Sequence, residues 1–332
     1  MNKKTFLYQK HLDLGAKMVP FSGWEMPIYY SSLIKEHEAV RKEAGLFDVS
    51  HMGIIEVKGE KAREFLEWIS TNTLTKPVTY TLLCNESGGT IDDLICYKKN
   101  EHHFLVIVNA GNREKDLAHL KAHSGDVEIN LLEGYGILAL QGPKAATYLS
   151  IPEMKPRTFL ESGDLFIATT GYTGERGFEI YGKNEVLAPL FDDLMNKGVT
   201  PCGLGCRDSL RLEMGYALYG HEISETISPM ESVASWAVKL DKEFYGKEAL
   251  SKKRSMVGLT LLERAVPREG YKLFINNLEV GMITSGTFSP SMQRGIALAL
   301  VNEPLSVGEK IEVSIRNKRC PAVITTLPFL ER

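Results

Sequence analysis

Lys310-Ile311-Glu312-Val313-Ser314-Ile315-Arg316-Asn317-Lys318 decides the character of the last quarter of the chain. Ile311, Val313 and Ile315 alternate with Glu312, Ser314 and Arg316, which gives a strand one buried and one solvated face. Asn317-Lys318 then stands where a hairpin turn belongs, because asparagine tolerates the left-handed backbone such turns need. Segments 257–262, 272–275, 279–284 and 295–301 precede this strand and 322–326 follows it, with a second asparagine turn at Asn276-Asn277. These successive strands predict an all-β C-terminal domain from about residue 250 onward.

The rest of the chain mixes helix and strand. Ala62, Phe65, Leu66 and Ile69 fall at helical spacing after the Lys58-Gly59 turn. Val186, Leu187, Leu190, Phe191 and Leu194 do the same, and that helix is expected to stop at Gly198. Segments 53–57, 103–108, 136–140, 165–169 and 178–181 read as short strands. A length of 332 residues allows two or three domains, and an apolar share of 43% supplies packed cores, which excludes disordered, collagen-like and disulfide-scaffold classes.

The 39 basic and 42 acidic side chains leave a net charge of −3, without the basic excess of a dedicated nucleic-acid binder. Residues 296–301 form the longest apolar run, far short of the roughly 20 needed to span a bilayer, so no membrane association is expected. Met1 to Lys10 holds Lys3, Lys4 and Lys10 with no apolar stretch behind them, unlike a secretory signal. Cys84, Cys96, Cys202, Cys206 and Cys320 are odd in number and scattered, as in a reduced, cytoplasmic protein.

Common catalytic templates are missing. There is no P-loop, no H-E-x-x-H and no G-x-S-x-G. Gly203-Leu204-Gly205-Cys206-Arg207-Asp208 carries Asp where a dinucleotide fingerprint needs its third glycine. Cys202 and Cys206 lack a second pair at zinc-finger spacing, so no metal site is expected.

Three polar clusters in glycine-rich turns remain. In Asn85-Glu86-Ser87-Gly88-Gly89-Thr90-Ile91-Asp92-Asp93-Leu94-Ile95, a Gly-Gly turn enters a strand whose adjacent carboxylates point to opposite faces. One of the two is either functional or simply an acid at a strand start. Gly171-Tyr172-Thr173-Gly174-Glu175-Arg176-Gly177-Phe178-Glu179-Ile180-Tyr181 packs three glycines into seven residues and leads into a strand bearing Glu179. In Gly203-Leu204-Gly205-Cys206-Arg207-Asp208-Ser209, a turn opens a helix with Asp208 or Ser209 as its N-terminal acceptor. Arg207 there is either a fork-shaped ligand donor or half of a structural salt bridge. A Glu, an Arg, an Asp and several Tyr together suit a planar heteroaromatic ligand with amide-like edges.

These clusters, with Gly23-Trp24-Glu25-Met26-Pro27, Phe47-Asp48-Val49-Ser50-His51-Met52-Gly53, Leu140-Gln141-Gly142-Pro143 and Thr284-Ser285-Gly286-Thr287-Phe288-Ser289-Pro290, occur in an order that resembles the glycine cleavage T-protein family over nearly the whole chain. The resemblance implies an α+β fold of three domains arranged as a cloverleaf around a central folate cavity, the last an antiparallel β-barrel. It implies domain limits near 1–50 with 140–249, 51–139 and 250–332. It further implies an aminomethyltransferase that takes its aminomethyl group from the lipoyl arm of H-protein, releases ammonia and forms 5,10-methylenetetrahydrofolate from tetrahydrofolate.

Carried over residue by residue, Asp93 matches the family's catalytic carboxylate, and Glu179, Arg207 and Asn109 match folate contacts. Tyr80, Tyr97, Met52 and Trp236 fall where the family has apolar or aromatic cavity walls, with ordinary core as the other reading. The stretch between Thr73 and Tyr80 is shorter than the family pattern, and Cys206 replaces the usual alanine before Arg207. Two relatives by fold compete with the transferase. A folate-binding iron–sulfur accessory protein is expected to carry Lys-Gly-Cys-Tyr-x-Gly-Gln, where this chain reads Gly215-Tyr216-Ala217-Leu218-Tyr219-Gly220. A demethylating oxidase needs a flavin domain for which 332 residues leave no room.

Overall fold

The computed structural model describes residues 2–316 and 318–331, so Asn317 of the second expected turn lies outside the described residues. The chain separates into two compact units, Met1–Thr81 with Leu94–Asp208, and Leu82–Asp93 with Ser209–Arg332.

The first unit is built on a six-stranded sheet in the order Phe159–Ser162, Leu165–Ala168, Gly177–Lys183, Tyr135–Gln141, Gly45–Asp48, Thr200–Pro201. Its pairs are antiparallel except the last, which is parallel. Leu46, Leu138, Leu140, Ile167 and Ile180 form one core with Leu187, Phe191 and Leu194 of the helix Asn184–Asn196. Each of these side chains contributes roughly 1.5–3 kcal/mol by leaving water. The helix ends as expected, with Gly198 at φ +83. In the same unit Gly53–Lys58 pairs antiparallel with His103–Val108. The helix Ala62–Ile69 buries the four residues that its periodicity marks. A hairpin of Lys17–Phe21 and Trp24–Tyr29, turning through Ser22 (φ 48) and Gly23 (φ 80), has no counterpart in the sequence reading. Pro20 and Pro27 interrupt its alternation and hide it.

The second unit carries the expected barrel. Its six strands close in the order Ser255–Leu261, Arg294–Val301, Leu278–Ser289, Lys272–Ile275, Lys310–Ile315, Lys318–Thr325, every pair antiparallel. Leu259, Leu273, Ile283, Ala297, Val313 and Ile324 fill the interior. Asn276 and Asn277 make the first expected turn, at φ 49 and 65. Leu278–Ser289 runs well past the expected 279–284 because a register shift between Ile283 and Ser285 breaks the period-2 pattern. No helix among the described residues is long and apolar enough to cross a membrane.

Candidate active site

Glu179 sits in mid-strand, opposite Ala139 on one side and Ala168 on the other, so two small neighbours leave room around its carboxylate. It is 6% exposed, and three hydroxyls converge on Oε2: Thr170 Oγ1 at 2.6 Å, Tyr181 Oη at 3.2 Å and Tyr97 Oη at 3.4 Å. The hydroxyl oxygens also lie within hydrogen-bond reach of one another, Tyr97 Oη being 2.8 Å from both Tyr181 Oη and Thr170 Oγ1, so their three protons are shared between these contacts and Oε2. Burial, reinforced by the Glu179 charge, pushes both phenols well above their ordinary pKa, so they stay protonated as donors. None of the three hydroxyls reaches Oε1, which keeps its lone pairs for a ligand's N–H. Tyr97 itself is wholly buried, edge-on to Phe166 and Tyr181.

The glycines before Glu179 serve packing. A Cβ at Gly171 would lie 1.9 Å from Gln141 Oε1, and one at Gly177 2.5 Å from the Leu140 carbonyl. The buried Gln141 amide donates to the carbonyls of Thr170 and Phe178 and accepts from Thr173 Oγ1. Arg41 Nη1 donates to the Thr173 carbonyl at 2.6 Å and to Glu175 at 2.9 Å. These bonds hold the loop that presents Tyr172.

Over the Tyr172 ring lies Arg207, its guanidinium carbon 4.8 Å from the centroid. Burial lowers its pKa, against the charge of nearby Glu179 and the phenols of Tyr172 and Tyr181, and a guanidinium remains protonated regardless. Its buried Nη1 has no hydrogen-bond partner. A buried, charged donor left without an acceptor is costly, which is the signature of a group awaiting a ligand.

Arg207 belongs to the helix Leu204–Glu213, so Asp208 and Ser209 lie inside the helix and not at its start. The expected capping acceptor is therefore misplaced by more than a full turn, because Leu204-Gly205 reads as turn and is helix in the structure.

Met52 and Asn109 are half-buried and stand one residue outside the Gly53↔Val108 pair on either strand. Tyr80 is half-buried on Val78–Cys84. Asp93 and Trp236 fall in the second unit. Asp93 is half-buried on the strand Thr90–Asn100 beside a fully buried Asp92. The turn before that strand explains its Gly-Gly pair: a Cβ at Gly88 would meet the Ala249 carbonyl at 2.1 Å, and one at Gly89 the Glu225 carbonyl at 1.8 Å. Trp236 is 58% exposed in a short turn. Among the described residues no group of three or more His, Cys, Asp or Glu is placed to hold a metal.

Sequence reasoning missed His51. It is 5% exposed, edge-on to Phe21 at 5.7 Å, and its Nδ1 has no partner. Burial lowers its pKa to about 4; the Asp48 charge opposes this, and the Arg207 and Arg113 cations add to it. Behind it, Asp48 accepts from Thr5 Oγ1 and the Ser50 amide and bonds His11 Nε2 at 2.9 Å, while His11 Nδ1 bonds Tyr30 Oη at 2.8 Å. No local pattern marks this hydrogen-bonded chain, since the Thr5–Asp48, His11–Asp48 and His11–Tyr30 pairs stand 19 to 43 positions apart.

A pH dependence follows. Unfolded, His51 titrates near 6.5. Between pH 6.5 and about 4 the unfolded chain binds a proton that the fold excludes, so stability falls through that window and levels off below it. The loss amounts to about 3 kcal/mol. Unfolding free energies of wild type and His51→Gln from pH 7 to 4 measure it: the variant is expected to give the flatter curve, and parallel curves would refute it.

Similarity to known proteins converges on one family. Residues 7–242 match the model of the GCVT N-terminal domain, and residues 254–331 match that of the glycine cleavage T-protein C-terminal barrel domain. The chain is 44% identical over 358 residues to an aminomethyltransferase of Legionella pneumophila, covering 100% of this chain and 99% of the relative. It is 41% identical over 363 residues to one of Bacillus pumilus, at full coverage of both. The crystal structure of the glycine cleavage system aminomethyltransferase T from Bartonella henselae superposes with a TM-score of 0.94 at 36% identity, covering 99% of this chain and 98% of that one.

Proposed function

The chain belongs to the glycine cleavage T-protein family of aminomethyltransferases, and from that premise we propose that it transfers the aminomethyl carbon from the lipoyl arm of H-protein to tetrahydrofolate. The observation that carries this reading is the pairing of Glu179, whose Oε1 is clear of its three hydroxyl donors, with the unsatisfied Nη1 of Arg207. An acceptor and a donor of this kind match the amino edge and the carbonyl side of a pterin, with Tyr172 as an aromatic wall and the wholly buried Tyr97 acting through its hydroxyl near Glu179. Met52, Asn109, Tyr80 and Trp236 are proposed as further contacts, and Asp93 as the catalytic carboxylate.

Tetrahydrofolate, when bound, supplies two nitrogens to which the carbon becomes attached. The carbon gives up its bonds to sulfur and to its amino nitrogen; the two folate N–H protons leave with the departing thiol and ammonia, and no net oxidation occurs. Glu179 and Arg207 orient the acceptor. Asp93 holds a proton in transit and stabilises cationic character at the carbon.

The test is an assay with purified protein, tetrahydrofolate and aminomethyl-loaded H-protein, following ammonia and 5,10-methylenetetrahydrofolate together. Equimolar appearance of both is expected. Tight folate binding without turnover would overturn the transferase in favour of a folate-binding accessory protein.

A further inference from the structure

Glu36 lies on the helix Leu33–Lys42 and is fully buried. Its carboxylate meets three backbone donors: Oε1 accepts from the Tyr30 amide at 2.7 Å and the Ser31 amide at 2.9 Å, and Oε2 from the Gly203 amide at 2.9 Å. Gly203 immediately precedes the helix Leu204–Glu213, and its carbonyl accepts the Arg207 amide at 3.2 Å, closing the first helical turn. Glu36 thus holds, from 167 residues away, the amide at the start of this helix, with the negative charge that a helix N-terminus favours.

The glycines lock the same joint. A Cβ at Gly203 would lie 2.4 Å from both the carbonyl carbon and oxygen of Ile28, and one at Gly205 2.9 Å from that oxygen. Helix start, strand end and carboxylate therefore have one arrangement. Arg207, in the first turn, inherits its position from it.

We propose that Glu36 is a positioning residue for Arg207: by gripping Gly203 N–H together with the Tyr30 and Ser31 amides, it sets the first helical turn so that the unsatisfied Nη1 is presented to the ligand. The proposal rests on the reading of Arg207 as a tetrahydrofolate contact. Three amides need both oxygens, and an amide side chain has only one, so Glu36→Gln turns a donor toward a donor at Gly203 or at Tyr30 and Ser31.

The experiment is a double-mutant cycle on tetrahydrofolate affinity with wild type, Glu36→Gln, Arg207→Ala and the double variant. Glu36→Gln is expected to bind about tenfold more weakly, and to cost no further affinity once Arg207 is gone, as for residues acting through one network. Melting temperatures are recorded alongside, since a general structural role lowers them without producing that non-additivity. Losses that multiply in the double variant, or wild-type affinity in Glu36→Gln, would overturn the proposal. If Glu36→Gln fails to fold, Glu36→Asp, which keeps the charge but withdraws its reach, enters the same cycle with the same two outcomes. Absence of tetrahydrofolate binding by the wild type would overturn the reading of the site itself, a result distinct from either.

Discussion

Asp93→Asn is expected to lower the rate of ammonia release and carbon transfer by about 10²- to 10⁴-fold, the usual span for loss of a positioned acid–base group. The amide has the shape of the carboxylate without its charge or its basicity, so the loss reads as chemistry and not as packing. Asp93 is half-buried, and a melting temperature close to wild type is expected. Asp92 is the internal control. It is fully buried and points to the other face of the strand, so Asp92→Asn is expected to act on stability with turnover nearly intact. Single-turnover assays and thermal melts on both variants separate the roles. Wild-type turnover by Asp93→Asn, or a reversal of the two patterns, would remove Asp93 from the chemistry.

Glu222→Ala is expected to destabilise the second unit by about 3–5 kcal/mol, because it strands a buried guanidinium. Arg211 is 1% exposed and donates to Glu222 Oε2 at 3.0 Å, to the Tyr216 carbonyl at 2.9 Å and to Ser285 Oγ at 2.8 Å. Glu222, wholly buried, also accepts from Thr284 Oγ1 and from the Leu218 amide. Replacing both partners with apolar residues, Arg211→Met with Glu222→Leu, removes the unpaired charge and is expected to recover much of the loss. Chemical denaturation of the single and double variants measures this; equal stability of Glu222→Ala and wild type would show that the ion pair contributes little to the fold.

The barrel was legible because its information is local. Lys272–Ile275 and Lys310–Ile315 emerge with the expected bounds, since period-2 alternation and asparagine turns need no distant partner. Glu179 and Arg207 were legible only as polar residues embedded in unusual glycine spacing, their folate role being what the family resemblance implies. What those glycines do was not: Gly171 and Gly177 make way for Gln141, and Gly88 and Gly89 for carbonyls of residues 249 and 225.

The sequence by itself marked the mixed helix and strand of the first part, the strands of the last quarter and their alternating faces, because propensity, periodicity and turn chemistry act over a few residues; the three-domain fold and the roles of Asp93, Glu179 and Arg207 are what the family resemblance implies. Only the tertiary structure decided that the helix of Arg207 begins at Leu204 with Glu36 holding the amide before it, that three hydroxyls occupy one oxygen of Glu179, and that His51 is buried beside two arginines. Those features depend on hydrogen bonds and desolvation between residues far apart in the chain, and no local rule encodes a partner that the fold has yet to bring near.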